Sequence, residues 1–254
     1  MLARGSALHR LLYAILIVGP VMAFVGTSVF VLGMLRAPAV AIDVLARLFS
    51  RSVLLGTRAR VVAVEGLGPS SGWPAQMVLV CNHESHLDGP LILARVRDRS
   101  IRFVVKRSLM WIPFLGWGLK GAGCVAVTRR DSSKDFAALA GVHGRPGVDL
   151  LFFAEGSRSR DGDLRPFKKG AFIHAIEERL PILPLAVAGT WSAMRPHRWF
   201  PRGGPVALVV GEPIDVTGLT FDDRDALRDR VRAEVERLRD RAKTLVGGGD
   251  AAKR

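Results

Sequence analysis

Cysteine is scarce in this chain of 254 residues, and both cysteines, Cys81 and Cys124, lie within apolar runs. Without a C-x-x-C pair, the sequence carries neither a disulfide framework nor a paired-thiol redox motif. The glycine-rich phosphate loops G-x-x-x-x-G-K-[ST] and strand-borne G-x-G-x-x-G are also missing, which argues against a nucleotide site. The one G-x-S-x-G match, at 68–72, lies in a Gly/Pro/Ser loop between two predicted strands and not at a strand-to-helix elbow, so nothing indicates a serine nucleophile. These absences are consistent with chemistry in which the hydroxyl of a substrate is the nucleophile.

Acidic residues are outnumbered by basic ones, 23 to 37, which gives a formal net charge of +14. Such a charge favours anionic partners, namely nucleic acid, anionic lipid headgroups or phosphorylated substrates. The basic residues show neither aromatic interleaving nor a helix-turn-helix pattern, so we do not expect nucleic acid. A non-enzymatic basic protein that binds membranes remains an alternative from another functional class.

Charge is absent altogether from Leu11 to Leu35, a stretch long enough to cross a hydrocarbon core of about 30 Å. Gly19-Pro20 interrupts it, so a kinked or re-entrant helix is also open. The following run, 37–55, is apolar with two arginines, a pattern typical of an interfacial helix. We expect membrane-anchoring helices over residues 1–58. Two arginines precede the first apolar stretch and five follow it, at 36, 47, 51, 58 and 60, which predicts a main domain on the cytoplasmic side.

After residue 58, short β-rich runs alternate with helical stretches. This alternation predicts an α/β domain, with a mixed, mostly parallel central sheet flanked by helices. We assign residues 59–246 to that domain and residues 247–254 to a flexible tail. The predicted strands are 60–65, 76–81, 102–105, 124–128, 148–153, 182–188 and 206–210, and the predicted helices are 89–97, 132–142, 169–179 and 221–246.

A polar cluster, Asn82–Asp88, directly follows the apolar strand 76–81. His83 and Asp88 are five residues apart, about 140° around a regular helix, so they can pair only if the chain bends between them. A strand-to-helix turn supplies such a bend. An imidazole can accept a proton from a hydroxyl, and a carboxylate on its other nitrogen fixes the tautomer. The alternative is that Asp88 only caps the following helix.

His86 is a competitor for the role of His83, because the two form a His-x-x-His spacing. H-E-x-x-H is absent and no third ligand lies at a suitable spacing, so we expect no metal. His86 is then interpreted as a structural residue or one at the substrate's edge.

A second cluster, 153–160, follows the apolar strand 148–153. Gly156 allows a close backbone approach to a ligand, Ser157 can donate a hydrogen bond, and Arg158 can hold a phosphate in bidentate fashion. Glu155 is unusual beside a phosphate unless it positions an arginine or a substrate hydroxyl. The alternative is a charged surface turn. Arg129 and Lys106 also end predicted strands and are candidate phosphate ligands, with a surface location as the alternative.

Four blocks of the sequence resemble, in order, the motifs of the glycerolipid acyltransferase family, and within it the bacterial lysophosphatidate acyltransferases. Ala154 replaces the usual proline, Ser157 the usual threonine, and Thr128 an acidic residue that often precedes the arginine. The blocks are 82–88, similar to NHxSxxD, 123–129, the glycine–strand–arginine block, 153–159, similar to FPEGTRS, and 180–185, the proline-bearing block.

The resemblance implies an enzyme that moves a fatty acyl group from acyl-CoA or acyl-carrier protein to the sn-2 hydroxyl of 1-acylglycerol-3-phosphate, giving phosphatidate without a cofactor. His83 would be the general base and Asp88 its orienting partner. The acceptor would be bound by Arg129, Glu155, Gly156, Ser157 and Arg158. Lys106 is a further candidate for binding the acceptor, because of its place at the end of a predicted strand. Membrane lipids are the expected partners, at the inner (cytoplasmic) membrane. Another lysolipid acceptor, such as lyso-ornithine lipid, is the alternative within the same chemistry.

Overall fold

A seven-stranded sheet forms the centre of the computed structural model, which describes residues 19–67, 72–128, 132–141, 147–195 and 201–251. The strands lie in the order β1-β7-β6-β2-β5-β3-β4, and each neighbouring pair is parallel except β6 with β7. The predicted mixed, mostly parallel sheet is confirmed. The strands are β1 (Ala59–Glu65), β2 (Val78–Cys81), β3 (Ser100–Lys106), β4 (Val125–Val127), β5 (Val148–Phe153), β6 (Ile182–Ala188) and β7 (Gly204–Val210).

Eight α-helices occur in the described part of the chain. Two of them, α4 and α7, were not predicted, and neither was a 3₁₀ turn at Arg107–Trp111. The last helix begins three residues later and ends five residues later than the predicted 221–246. The helices are α1 (Gly19–Met34), α2 (Ala39–Gly56), α3 (Asp88–Arg95), α4 (Leu115–Gly121), α5 (Ser132–Ala140), α6 (Gly170–Glu177), α7 (Thr190–Ala193) and α8 (Arg224–Ala251).

Helices cover both faces of the sheet, which explains why β2 is a continuous apolar run rather than an alternating one. On one face Val78 and Val80 pack into a cluster completed by α6 and α8. On the other face Leu79 and Cys81 pack into a second cluster with α3 and the end of α2. Cys81 is fully buried, as its apolar context predicts.

Helix α2 departs from the usual amphipathic pattern, because it exposes large apolar side chains and carries a charge on its inward face. Asp43 is buried and accepts a hydrogen bond of 2.6 Å from Nη1 of Arg102 on β3, and another from Ser100. These bonds hold α2 against the sheet. Val40, Leu48 and Leu55 face outward and are exposed.

The apolar stretch predicted over 11–35 is helical from Gly19 to Met34, and its earlier part lies outside the described residues. Among the described residues, every helix is too short or too polar to cross a bilayer.

Helices α1 and α4 approach each other backbone to backbone through glycines. A Cβ added at Gly33 would lie 2.6 Å from the Cα of Gly121, and one added at Gly118 would lie 3.1 Å from the Cα of Gly26. Separations below 3 Å are closer than real Cβ atoms tolerate. The glycines of α4 therefore set the distance between these helices, although they lower its helix propensity.

Candidate active site

The side chain of Asn82 joins the carboxyl ends of two parallel strands, β2 and β6. Its Nδ2 donates to the carbonyl of Val187 at 3.0 Å, and its Oδ1 accepts from the Val187 N–H at 2.9 Å. The residue is fully buried, so both bonds are shielded from water. In sheets of this kind ligands collect at the carboxyl ends of the strands, and Asn82 fixes the start of the loop that lies there.

The chain bends between His83 and Asp88, as their spacing required, and the two side chains meet. His83 Nδ1 lies 2.8 Å from Asp88 Oδ2. The same oxygen accepts the backbone N–H groups of Glu84 at 2.7 Å and Ser85 at 2.8 Å. Asp88 is the first residue of α3, and its carboxylate bonds back to the loop, so the alternative in which it only caps the helix does not hold.

The imidazole of His83 is held on two sides. Its ring stacks on Phe153 at a centroid distance of 4.0 Å and an angle of 16°, and Phe153 in turn stacks on Phe103. Because the carboxylate occupies Nδ1, that nitrogen is the donor of the neutral ring, and Nε2 is left to accept a proton. The side chain is 20% exposed, so a substrate can reach it.

Glu155 holds two backbone segments of the site together. Its Oε1 accepts the N–H of His83 at 2.6 Å, and its Oε2 accepts the N–H of Arg165 at 3.0 Å. Burial raises the pKa of Glu155 to about 7, and these two N–H groups oppose the shift. The resemblance implied that Glu155 contacts the acceptor. The geometry instead shows both oxygens bound to backbone amides, in a positioning arrangement.

The loop after β5 brings Arg158 to the same place as His83. Ser159 donates its backbone N–H to the carbonyl of His83 at 2.8 Å, so the two predicted polar clusters are joined. Nη1 of Arg158 is buried and has no hydrogen-bond partner among the described residues. Burial lowers the pKa of Arg158, and the nearby charge of Asp88 opposes that shift. A buried guanidinium nitrogen without a partner is suited to receive an anionic group.

Two further predicted residues shape this loop. Gly156 has a φ of 72°, a left-handed conformation that side chains disfavour, which is why glycine is required there. Ser157 Oγ accepts a hydrogen bond of 2.6 Å from Nη1 of Arg165 on the exposed side of the loop.

The remaining predicted residues lie apart from this arrangement or outside the described part of the chain. Lys106 ends β3 and is exposed, and it makes no hydrogen bond to the His83–Asp88 pair. Arg129 lies outside the described residues. His86 is exposed in the loop.

Sequence reasoning missed a buried ion pair beside the site. Nε of Arg239 on α8 donates to Oε1 of Glu84 at 3.1 Å, and both side chains are about 6–7% exposed. Burial raises the pKa of Glu84 to about 7, Asp88 adds to the shift, and Arg239 opposes it. One signal was available, because Arg239 comes four residues after Val235 on the apolar stripe of α8. A charged residue on such a stripe needs a buried partner.

Comparison with known proteins agrees with this geometry. Residues 68–188 match a family model described as Acyltransferase. The chain is 30% identical over 206 residues to 1-acyl-sn-glycerol-3-phosphate acyltransferase alpha of Homo sapiens, covering 79% of this chain and 71% of the human protein. It is 33% identical over 152 residues to 1-acyl-sn-glycerol-3-phosphate acyltransferase of Haemophilus influenzae, covering 59% of this chain and 62% of that one.

Among solved structures, the crystal structure of the 1-acyl-sn-glycerophosphate (LPA) acyltransferase PlsC from Thermotoga maritima is similar, with a TM-score of 0.70 and 28% identity. The similarity covers 91% of this chain and 95% of that one. The chain therefore belongs to the acyltransferase family, as its four motifs predicted. It spans 42–62% of the length of several curated relatives that it matches.

Proposed function

We propose that the protein is a 1-acylglycerol-3-phosphate O-acyltransferase, which transfers a fatty acyl group from acyl-CoA or acyl-carrier protein to the sn-2 hydroxyl of its acceptor. The product is phosphatidate. The observation that carries the proposal is the pairing of His83 Nδ1 with Asp88 Oδ2 at 2.8 Å, beside the unpartnered Nη1 of Arg158. The activity of the similar proteins named above, acyl transfer to 1-acylglycerol-3-phosphate, supports this acceptor.

In the proposed mechanism, Nε2 of His83 accepts the proton of the acceptor hydroxyl while its oxygen attacks the thioester carbonyl. The tetrahedral intermediate collapses, the C–S bond breaks, and the imidazolium returns the proton to the leaving thiolate. Asp88 stabilises the cation formed on the ring, and its bonds to two amides keep the carboxylate in place. General base catalysis of this kind contributes typically 10²–10⁴-fold in rate.

The acceptor phosphate is assigned to Arg158, because its guanidinium has a buried donor available. Arg129 and Lys106 remain predicted as further phosphate ligands. Gly156 and Ser157 are proposed to shape the loop against the acceptor, and Glu155 to hold that loop to His83. The acyl donor is the co-substrate, and the reaction requires no cofactor.

We further propose that residues 1–58 attach the enzyme to the inner (cytoplasmic) membrane, with the domain that begins at residue 59 on the cytoplasmic side. Exposed apolar side chains support this, among them Phe24 on α1, Leu55 on α2 and Trp111, which is 81% exposed. Tryptophan is enriched where proteins meet the membrane interface. Co-sedimentation with anionic vesicles tests the proposal, and protein that stays in the supernatant at low salt would contradict it.

The activity is tested with purified protein, labelled acyl-CoA or acyl-carrier protein, and lysophosphatidate as acceptor. Lyso-ornithine lipid, which has no phosphate for Arg158, is the comparison acceptor. His83→Ala is expected to lose about 10²–10⁴-fold in kcat. His86→Ala, in the same loop, is the matched control and should keep most of the activity. Equal rates with the two acceptors, or a larger loss in the His86 variant, would overturn the assignment.

A further inference from the structure

Arg239 connects the C-terminal helix to both loops that form the active site. Its Nε donates to Oε1 of Glu84, the residue after His83, at 3.1 Å. Its Nη2 donates to the carbonyl oxygen of Gly162, three residues after Ser159. Ser159 itself bonds to His83 through the backbone. One guanidinium therefore contacts the loop of the general base and the loop that carries Arg158.

The other arginines of α8 pair differently. Arg237 with Glu234 and Arg241 with Glu65 form ion pairs on the exposed surface, and such pairs contribute little to stability. Arg239 is buried, and its partner Glu84 is 155 positions away in sequence. An apolar residue at that position would continue the apolar stripe of α8 without any cost of burying charge. The bridge therefore has no simple explanation in packing.

Glu84 faces charged and polar groups from several elements. Asn82 Nδ2 lies 3.4 Å from its Oε1, and Thr190 Oγ1 at the start of α7 lies 3.4 Å from its Oε2. The charges of Asp88 and Glu155 are close enough to interact with it. Two arginines of the described residues interact with this group of three carboxylates. Arg239 forms an ion pair with Glu84, and Arg158 interacts with the charge of Asp88.

We propose that Arg239 is a positioning residue for acyl transfer, which sets the separation of the His83 loop from the Arg158 loop by bridging Glu84 and Gly162. The inference rests on the proposed function, since the two loops carry its general base and its phosphate ligand. The Arg239 side chain is only 7% exposed, so the role assigned to it is positioning and not contact with substrate. A misplacement of reacting groups by about 1 Å can cost 10²-fold in rate, so removing the bridge should lower kcat.

Two variants separate positioning from simple charge balance. Arg239→Met removes the bridge and leaves Glu84 buried and unpaired, so both the thermal unfolding temperature and kcat should fall. Glu84→Gln combined with Arg239→Met removes the unpaired charge as well. We expect this double variant to regain thermal stability while its kcat stays about 10²-fold below that of the unaltered protein. Arg239→Lys, which keeps the charge but not the planar fork, should be intermediate.

Arg241→Met is the matched control, because it removes an exposed ion pair from the same helix and should leave kcat unchanged. If the double variant recovers kcat together with stability, Arg239 only balances charge and the proposal fails. An unchanged kcat in Arg239→Met would also overturn it. If that single variant does not fold, the double variant and Arg239→Lys still decide the question.

Hydrogen exchange gives a readout that does not depend on turnover. Loss of the bridge should speed amide exchange over residues 82–88 and 159–163, and Arg241→Met should not. If the unaltered protein shows no acyl transfer, the proposed function is refuted. The exchange result then still tests whether Arg239 orders the two loops. Active protein whose Arg239 variants show neither faster exchange nor a lower kcat would refute the positioning role alone.

Discussion

Replacing Asp88 with asparagine separates the charge of this side chain from its shape. In the structure one carboxylate oxygen accepts three N–H groups, from His83 Nδ1 and the amides of Glu84 and Ser85. An asparagine oxygen in the same place can still accept from both amides. What is lost is the anion that stabilises the imidazolium as His83 takes the substrate proton.

The expected size of this effect follows from the contact that is weakened. A hydrogen bond to a charged group contributes about 1.5–3 kcal/mol, which corresponds to a fall in kcat of about 10- to 150-fold. Asp88→Ala should instead destabilise the fold, because two buried amides lose their acceptor at about 1–3 kcal/mol each. The free energy of unfolding should then drop by about 2–6 kcal/mol.

The assay is the initial rate at saturating donor and acceptor, measured beside thermal unfolding. Asp223→Asn is the control, because Asp223 also accepts a backbone N–H, from Thr220 at the capping box before α8, outside the site. Its kcat should not change. If Asp88→Asn keeps kcat within about twofold, or is as unstable as Asp88→Ala, the carboxylate acts on the fold and not on the imidazolium, and the reasoning is refuted.

Three further predictions concern neighbouring residues. Arg158→Met should raise KM for the acceptor while KM for the donor stays unchanged, and steady-state kinetics showing the reverse would contradict its phosphate role. The pKa of Glu84 is raised to about 7 by burial, so the folded state binds this proton more tightly than the unfolded state. The free energy of unfolding should therefore fall as pH rises from about 4.5 past 7. Glu155, whose pKa is also raised to about 7, contributes in the same pH range, so urea titrations of Glu84→Gln should show a shallower fall that is not abolished. Gly156→Ala and Gly147→Ala each place a side chain at a φ above 70°, costing about 1–2 kcal/mol. Only Gly156→Ala should also lower kcat, and equal losses of activity in the two variants would remove Gly156 from the site.

The strands were predictable because burial on both faces leaves a clear pattern. Runs such as 77–81 and 150–154 are continuously apolar, and each is followed directly by polar residues. The pairing of His83 with Asp88 was predictable for a related reason. A strand-to-helix turn is the local geometry that brings together residues five positions apart, and the sequence placed such a turn there.

The features that were missed depend on contacts between distant parts of the chain. Glu84 and Arg239 are 155 positions apart, and an alternation of charges on a long helix does not reveal which arginine is buried. The bonds from Glu155 to backbone amides were also hidden, because any loop offers such amides and the sequence does not say which ones face a carboxylate. Helix α4 was missed because glycine at 116, 118 and 121 lowers its propensity, and only its packing against α1 explains it.

That close approach of α1 to α4 has a consequence for how the sequence can vary in evolution. Gly26, Gly33, Gly118 and Gly121 carry no chemistry, yet even alanine at Gly33 or Gly121 would force two backbones apart. In a saturation mutagenesis screen, these positions should therefore be as intolerant as the polar residues of the loops. Divergence between homologues would then accumulate on the outward face of α1 and spare its glycines.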